Sequence, residues 1–257
     1  MGIRPVAEIE TLNYQIMMNL NTSTEAPNTT ETAIGFIPCY RLPFLSLFHA
    51  DCMEIMKQYP DKYFDLAIVD PPYGIGASEM TMGSGKNKKW NKGKQWDNKT
   101  PEAIYWNELK RISKNQIVWG GNYFELPITR GWIFWDKGID GDCSFADGEL
   151  AWTSFDKVLR KAQIRYKGFL GMDKDERIHP TQKPIALYDW IIKNYSEPNQ
   201  KILDTHLGSG SIAIAVEKAN RLDKMNLQFV GIEIDKEYFE KAINRIEQYC
   251  RQGTLSF

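Results

Sequence analysis

From residue 185 to residue 249 the chain alternates between two apolar periods, and few folds accommodate that alternation. Apolar residues recur at helical spacing over 185–194, 211–219 and 236–249, while short, mostly apolar runs that read as strands occupy 201–203 and 229–234. A run apolar on both faces is a strand covered from both sides, and strands joined through helices pair in parallel. The same rhythm opens at residue 45, with a strand over 45–49, a helix over 52–58 and a buried strand over 65–69. Between these blocks, 116–119, 132–135 and 150–155 read as short aromatic-rich strands, and seven of the eight tryptophans fall between Trp90 and Trp152. The pattern predicts an α/β fold: a mostly parallel, doubly wound sheet with helices on both faces. No internal repeat is visible.

The 257 residues, 42% of them hydrophobic and 25% charged, suffice for one sizeable core. Thirty-two Lys and Arg stand against 33 Asp and Glu, a net charge of -1, which excludes a polybasic binder and confines nucleic-acid contact to local patches. The most apolar stretch, 36–48, is interrupted by Pro38, Arg41 and Pro43, so no membrane-spanning helix is expected. The N-terminus carries no apolar export signal, and Cys39, Cys52, Cys143 and Cys250 are scattered without metal-ligand or disulfide spacing. A cytoplasmic protein without a metal site is expected. Residues 19–33, rich in Thr and Asn, cannot offset their ordering entropy, so 1–44 are expected to form a flexible leader and 45–257 a single domain.

Three motifs carry chemistry. Asp70-Pro71-Pro72-Tyr73-Gly74 follows a buried strand directly, and in open α/β sheets ligands sit beyond the carboxyl ends of strands. Two prolines stiffen the backbone and remove two N–H donors, leaving a carboxylate, carbonyl acceptors and an aromatic face. Together these suit a planar ring bearing an exocyclic amine. The second motif, Asp204 to Ser211, places Gly208-Ser209-Gly210 between a strand and a helix; Glu233, ending the next strand, is placed to accept hydrogen bonds from a ribose. The third, His179-Pro180-Thr181-Gln182-Lys183-Pro184, opens a helix, where Thr181 and Lys183 can meet an anionic group.

In this order along the chain, these motifs resemble the β-group of S-adenosylmethionine-dependent DNA amino-methyltransferases, over roughly residues 45–249. The resemblance implies a Rossmann-like methyltransferase fold, circularly permuted so that the catalytic half precedes the cofactor-binding half. It implies that Asp70, Pro71, Pro72 and Tyr73 hold the target base. Asp51, Asp70, Thr181, Lys183, Asp204, His206, Gly208, Ser209, Gly210 and Glu233 would line the site for S-adenosylmethionine. Family members often carry Asp-Pro-Phe where this chain has Asp204-Thr205-His206, so His206 would take the place of the phenylalanine. Asp at position 70, where cytosine-N4 enzymes tend to carry Ser, leans the resemblance towards adenine N6. Cytosine N4 stays open as the alternative, as does a non-catalytic DNA-binding protein that keeps the fold.

The chemistry expected is direct methyl transfer to an amine whose lone pair is delocalised into its ring. Hydrogen bonds from that amine to Asp70 and the Pro71 carbonyl would localise the lone pair. With an ordinary pKa of about 3.9, Asp70 orients the amine rather than deprotonating it, and the proton leaves once the nitrogen is cationic. A base inside duplex DNA must be flipped out to be reached, with Tyr73 as its stacking surface. Residues 86–99 hold six lysines and one aspartate around two tryptophans, and Lys86, Lys88, Lys89, Trp90, Lys92 and Lys94 are expected to contact DNA. A second basic run, Lys157, Arg160, Lys161, Arg165 and Lys167, would extend that footprint. The segment 75–178 would carry the recognition insertions, short enough to suggest a short target sequence. A homodimer and a cognate restriction endonuclease are the remaining partners that the resemblance implies.

Overall fold

The computed structural model describes residues 37–76, 97–138, 146–165 and 178–254. Nine strands make one sheet: β1 (Tyr40–Leu42), β2 (Leu45–His49), β3 (Phe64–Val69), β4 (Ser113–Trp119), β5 (Trp132–Asp136), β6 (Gly148–Thr153), β7 (Arg160–Gln163), β8 (Lys201–Asp204) and β9 (Gln228–Glu233). Among the described residues, five α-helices accompany them: α1 (Cys52–Met56), α2 (Ala103–Ile112), α3 (Ile185–Tyr195), α4 (Ser211–Asp223) and α5 (Lys236–Thr254).

The strand order is β1-β2-β9-β8-β3-β4-β6-β5-β7. Neighbours from β2 to β4 are parallel, and β6 and β1 run against the rest. The chain therefore leaves the centre in opposite directions, from β3 to β4 on one side and from β8 to β9 on the other. That reversal is a topological switch point, where the crevice beyond the strand ends opens between β8 and β3. The half bearing β3 precedes the half bearing β8 and β9, as a permuted order requires.

Burial explains the layering. β3 reads Phe-Asp-Leu-Ala-Ile-Val with all but Asp65 buried, as a central parallel strand must be. Leu66 and Ile68 join a core cluster with Leu187, Ile191, Ile212, Val216, Phe239 and Ile246 of α3, α4 and α5. Successive strand residues point to opposite faces, so Ala67 and Val69, equally buried, face the other side, where α1 and α2 bring Ile55, Met56, Tyr105, Leu109 and Ile112. Asp65 stitches three strands: its carboxylate accepts the Lys201 N–H at 2.9 Å and pairs with Lys114 at 2.6 Å.

Three elements lie outside the sequence expectations. The sheet begins within the stretch expected to be leader, because β1 pairs Tyr40 with Leu47 and Leu42 with Leu45. Helix α2 and strand β7 are the other two. Among the described residues, no helix is long and apolar enough to cross a membrane. Lys86, Lys88, Lys89, Trp90, Lys92 and Lys94, expected at the DNA, lie outside the described residues, as do Cys143 and Lys167.

Candidate active site

Val69 is the last residue of β3, so Asp70 emerges at its carboxyl end and the two prolines turn the chain away. Both Asp70 oxygens are engaged. The Tyr73 hydroxyl donates to Oδ1 at 2.6 Å, and the Lys183 ammonium donates to Oδ2 at 2.5 Å. Burial, followed by the nearby Glu149 carboxylate, raises the Asp70 pKa above the usual carboxylate range although Lys183 opposes the shift. The Tyr73 ring stacks on Tyr123, with centroids 4.9 Å apart and planes at 15°, and lies against Gly120. Burial and the Asp70 charge push its phenol well above the ordinary value, so it stays a hydrogen-bond donor.

The loop is held from behind by Asp97, a residue 1% exposed, whose Oδ1 accepts the N–H groups of Tyr73 at 2.6 Å and Gly74 at 3.0 Å. Sequence reasoning missed it, although it is the only acid in the lysine-rich run 86–99. Lys183, expected to meet an anionic ligand, is instead 3% exposed and shared between Asp70 and Glu149, the latter 3.2 Å away. Burial works against its charge, but the two carboxylates outweigh burial and raise its pKa. Glu149 was also unforeseen; it lies one residue before the aromatic-rich run 150–155, and β6 starts early enough to include it.

Across the switch point, β8 delivers Asp204 and β9 delivers Glu233. Asp204, 3% exposed, accepts the His206 N–H at 2.9 Å, and burial, which outweighs that bond, raises its pKa to about 8. Glu233 accepts the Gly208 N–H at 2.8 Å and the Asp235 N–H at 2.9 Å, and burial raises it too. Gly208 has φ +53°, a left-handed conformation that glycine adopts without strain, and the His179 ring lies 3.8 Å from where a Cβ would stand. Thr181 turns back to His179, its Oγ1 lying 3.1 Å from Nδ1. Ser209 bonds Ser211, whose hydroxyl donates to the Lys183 carbonyl, and Arg245 from α5 donates to the Ser209 carbonyl at 2.8 Å. The glycine turn and the His179–Lys183 loop are thus one bonded unit.

His206 is fixed by a relay: Thr205 Oγ1 lies 2.7 Å from the Tyr105 hydroxyl and 2.9 Å from His206 Nδ1. Burial lowers the His206 pKa to about 4, so the imidazole is neutral at pH 7 and offers a ring face rather than a charge. Asp51 is exposed at the start of α1, where its side chain accepts the Met53 N–H at 2.8 Å. Its backbone neighbour Ala50 donates to the Glu233 carbonyl, which brings the ends of β2 and β9 together.

The second basic run does not gather here. Lys157, Arg160 and Lys161 line a cavity of about 540 Å³ with Trp190 and Tyr195. Arg160 starts β7, so this cavity lies at the opposite strand ends from Asp70. Lys161 is already paired with Asp136 at 2.6 Å.

The arrangement is a partly buried acceptor and an aromatic face on one side of a strand-end crevice, with a glycine turn and two raised acids on the other. Residues 118–244 match the family model of DNA methylases that modify N6 or N4. The chain is 23% identical to the type II methyltransferase M.ScaI of Streptomyces caespitosus, covering 82% of this chain and 84% of that protein. It is 26% identical to the type II methyltransferase M.HpaI of Haemophilus parainfluenzae, covering 78% of this chain and 74% of that protein. The fold is shared with the PvuII DNA methyltransferase, described as cytosine-N4-specific, at a TM-score of 0.54 and 14% identity over 85% of this chain and 94% of that one. Over residues 118–244 the chain is thus similar to DNA methylases, and its fold is one that a DNA methyltransferase shares.

Proposed function

We propose that this chain transfers a methyl group from S-adenosylmethionine to N6 of an adenine flipped out of double-stranded DNA. The observation that carries the reading is Asp70 itself: a mostly buried carboxylate, its side chain 17% exposed, at the crevice, on a proline-stiffened loop, beside an aromatic ring. A carboxylate offers about four acceptor sites, and Tyr73 and Lys183 use two of them. Capacity remains for the N–H groups of a target amine, with the Pro71 carbonyl as a second acceptor. The carboxylate at position 70, rather than a hydroxyl, favours adenine over cytosine by the family resemblance.

The donor set fits S-adenosylmethionine, which carries a positive sulfonium. Asp70, Asp204 and Glu233 all have raised pKa values through burial, so a cation placed among them relieves an unfavourable field. Glu233, the glycine turn and neutral His206 would hold its nucleoside; Asp51, Thr181 and Ser209 would stand around it. When bound, it supplies an electrophilic methyl carbon. Asp70 accepts an N–H and turns the nitrogen lone pair towards that carbon. Once methylated, the nitrogen would be cationic, and Asp70 or water would accept its proton. Tyr73 supplies the surface on which the extruded base stacks.

Lys86, Lys88, Lys89, Trp90, Lys92 and Lys94 belong to this reading as phosphate and base contacts, on their composition alone. A homodimer and a companion endonuclease belong to it through the family resemblance alone.

Nucleoside mass spectrometry of unmethylated duplex DNA, incubated with the purified protein and S-adenosylmethionine beside the Asp70→Ala variant, tests the reading. N6-methyladenine from the wild type and none from the variant is expected. N4-methylcytosine in its place would move the target to cytosine, and no modified base on diverse DNA would end the catalytic reading.

A further inference from the structure

Behind Asp70 runs a partly buried chain of alternating charges, centred on the fully buried Lys183, that methyl transfer, as described, does not use. Lys137, just after β5, pairs with Glu149 Oε1 at 2.8 Å; Glu149 Oε2 lies 3.2 Å from Lys183 Nζ; Lys183 reaches Asp70 at 2.5 Å. Replacing a buried ion pair by apolar residues is often neutral or stabilising, so a chain of four charges is poorly explained by stability alone. This one ends on the carboxylate that must accept the target amine.

We propose that Glu149 is a positioning residue for methyl transfer: it holds the Lys183 ammonium between two carboxylates, so that Lys183 steadies Asp70 without capturing it. The inference rests on the reading of Asp70 as the acceptor of the target amine. Lys183 has three N–H groups. One meets Asp70 and one Glu149, while the Tyr73 hydroxyl lies 3.5 Å away and the Trp119 ring centroid 5.0 Å away. Glu149 is the only second carboxylate within ion-pair distance of that ammonium among the described residues. Without it, the full charge of Lys183 settles on Asp70 Oδ2 and competes with the incoming amine for the same lone pairs. Lys137 matters in turn as the outer anchor that keeps Glu149 in place.

Asp70 also feels Tyr73 from its own loop, and Asp204 from β8 faces it across the crevice; Tyr188 from α3 completes the titratable groups around the chain of charges. Glu149 pushes the Asp70 proton affinity up and Lys183 pulls it down. Removing the Glu149 charge therefore shifts Asp70 downward twice, once directly and once by handing it all of Lys183.

The test is steady-state methylation of duplex DNA by Glu149→Gln, Lys183→Met and the double variant. Glu149→Gln is expected to lower kcat at least tenfold with both KM values within about twofold, and to move the acidic limb of the kcat profile to lower pH. In the Lys183→Met background the same change is expected to cost little further, because Glu149 acts through Lys183. Losses that multiply in the double variant, or a Glu149→Gln enzyme with wild-type kcat and pH profile, would overturn the proposal while leaving the methyltransferase reading intact. A wild type that methylates nothing would overturn both. Should Glu149→Gln not fold, Lys137→Met loosens Glu149 from outside; an intermediate fall in kcat supports the proposal and an unchanged kcat overturns it.

Discussion

Gly120 shows how closely a single position can govern the site. Its φ of +65° lies in the left-handed region, and a Cβ there would stand 2.3 Å from Cε1 and 2.4 Å from Cζ of Tyr73. Alanine must therefore push the Tyr73 ring off Tyr123 and pull its hydroxyl from Asp70, besides costing about 1–2 kcal/mol for the backbone conformation. Gly120→Ala is expected to lose at least tenfold in turnover while still unfolding cooperatively in urea. Tyr73→Phe, which keeps the ring and removes only the 2.6 Å bond to Asp70, should lose less. Wild-type turnover in Gly120→Ala would show that the stacked ring has no part in catalysis. At this scale Asp70, Asp204, Gly208 and Glu233 were legible because each sits in a short motif tied to a strand end. Tyr123, Glu149 and Tyr105 were not, because their value comes from partners on distant strands, and no local pattern encodes a contact across a sheet.

The Asp70–Gly74 loop is an element without regular structure, and beyond its two prolines and the Tyr73–Asp70 bond its shape is held by one side chain from outside it. Asp97 accepts the Tyr73 and Gly74 N–H groups, and its own carbonyl accepts the Gly76 N–H at 3.3 Å. Asp97→Ala would leave two partly buried donors unpaired, at about 1–3 kcal/mol each. Stopped-flow methylation should show a kcat fall of tenfold or more with little change in donor KM, and Asp97→Asn, which keeps an acceptor oxygen, should recover most of it. Equal kcat in all three would mean that the loop holds its shape unaided. Among regular elements, the helices and strands with long apolar stripes were legible to within a few residues. Strand β7, Arg-Lys-Ala-Gln, was not: only Ala162 is buried, so an edge strand of this kind has no alternation to detect. Helix α2 does carry a stripe, Tyr105, Trp106, Leu109 and Ile112, but follows directly on a polar, lysine-rich run that reads as loop.

For the whole molecule, the crevice gathers acids from three different strands, and the gathering has a thermodynamic signature. Asp204 moves from an ordinary value of 3.8 to about 8 through burial, with the Asp70 and Glu233 charges adding to it, and those two acids are raised as well. A carboxyl group that is harder to ionise when folded binds more protons in the folded state than in the unfolded state between its two pKa values. Asp204 therefore contributes a fall in stability as pH rises from about 4 to about 8, by at most about 1.4 kcal/mol per pH unit, and Asp70 and Glu233 act in the same sense. A cationic ligand acts in the opposite sense, since it favours the ionised acids and displaces their protons. Its affinity should rise with pH up to about 8 and level off there, by no more than tenfold per unit for one proton released. Thermal unfolding of the protein with and without S-adenosylmethionine, from pH 6 to pH 8.5, measures both effects at once. The melting temperature of the free protein should fall across that range, and the increment given by the ligand should grow. S-adenosylhomocysteine, which keeps the nucleoside and amino acid but replaces the sulfonium by a neutral thioether, should give a flatter increment, and Asp204→Asn should flatten the free protein's own profile. A ligand increment independent of pH, equal for both compounds, would mean that the acids of β3, β8 and β9 do not face the sulfonium, and that the crevice binds its nucleoside through shape and hydrogen bonds alone.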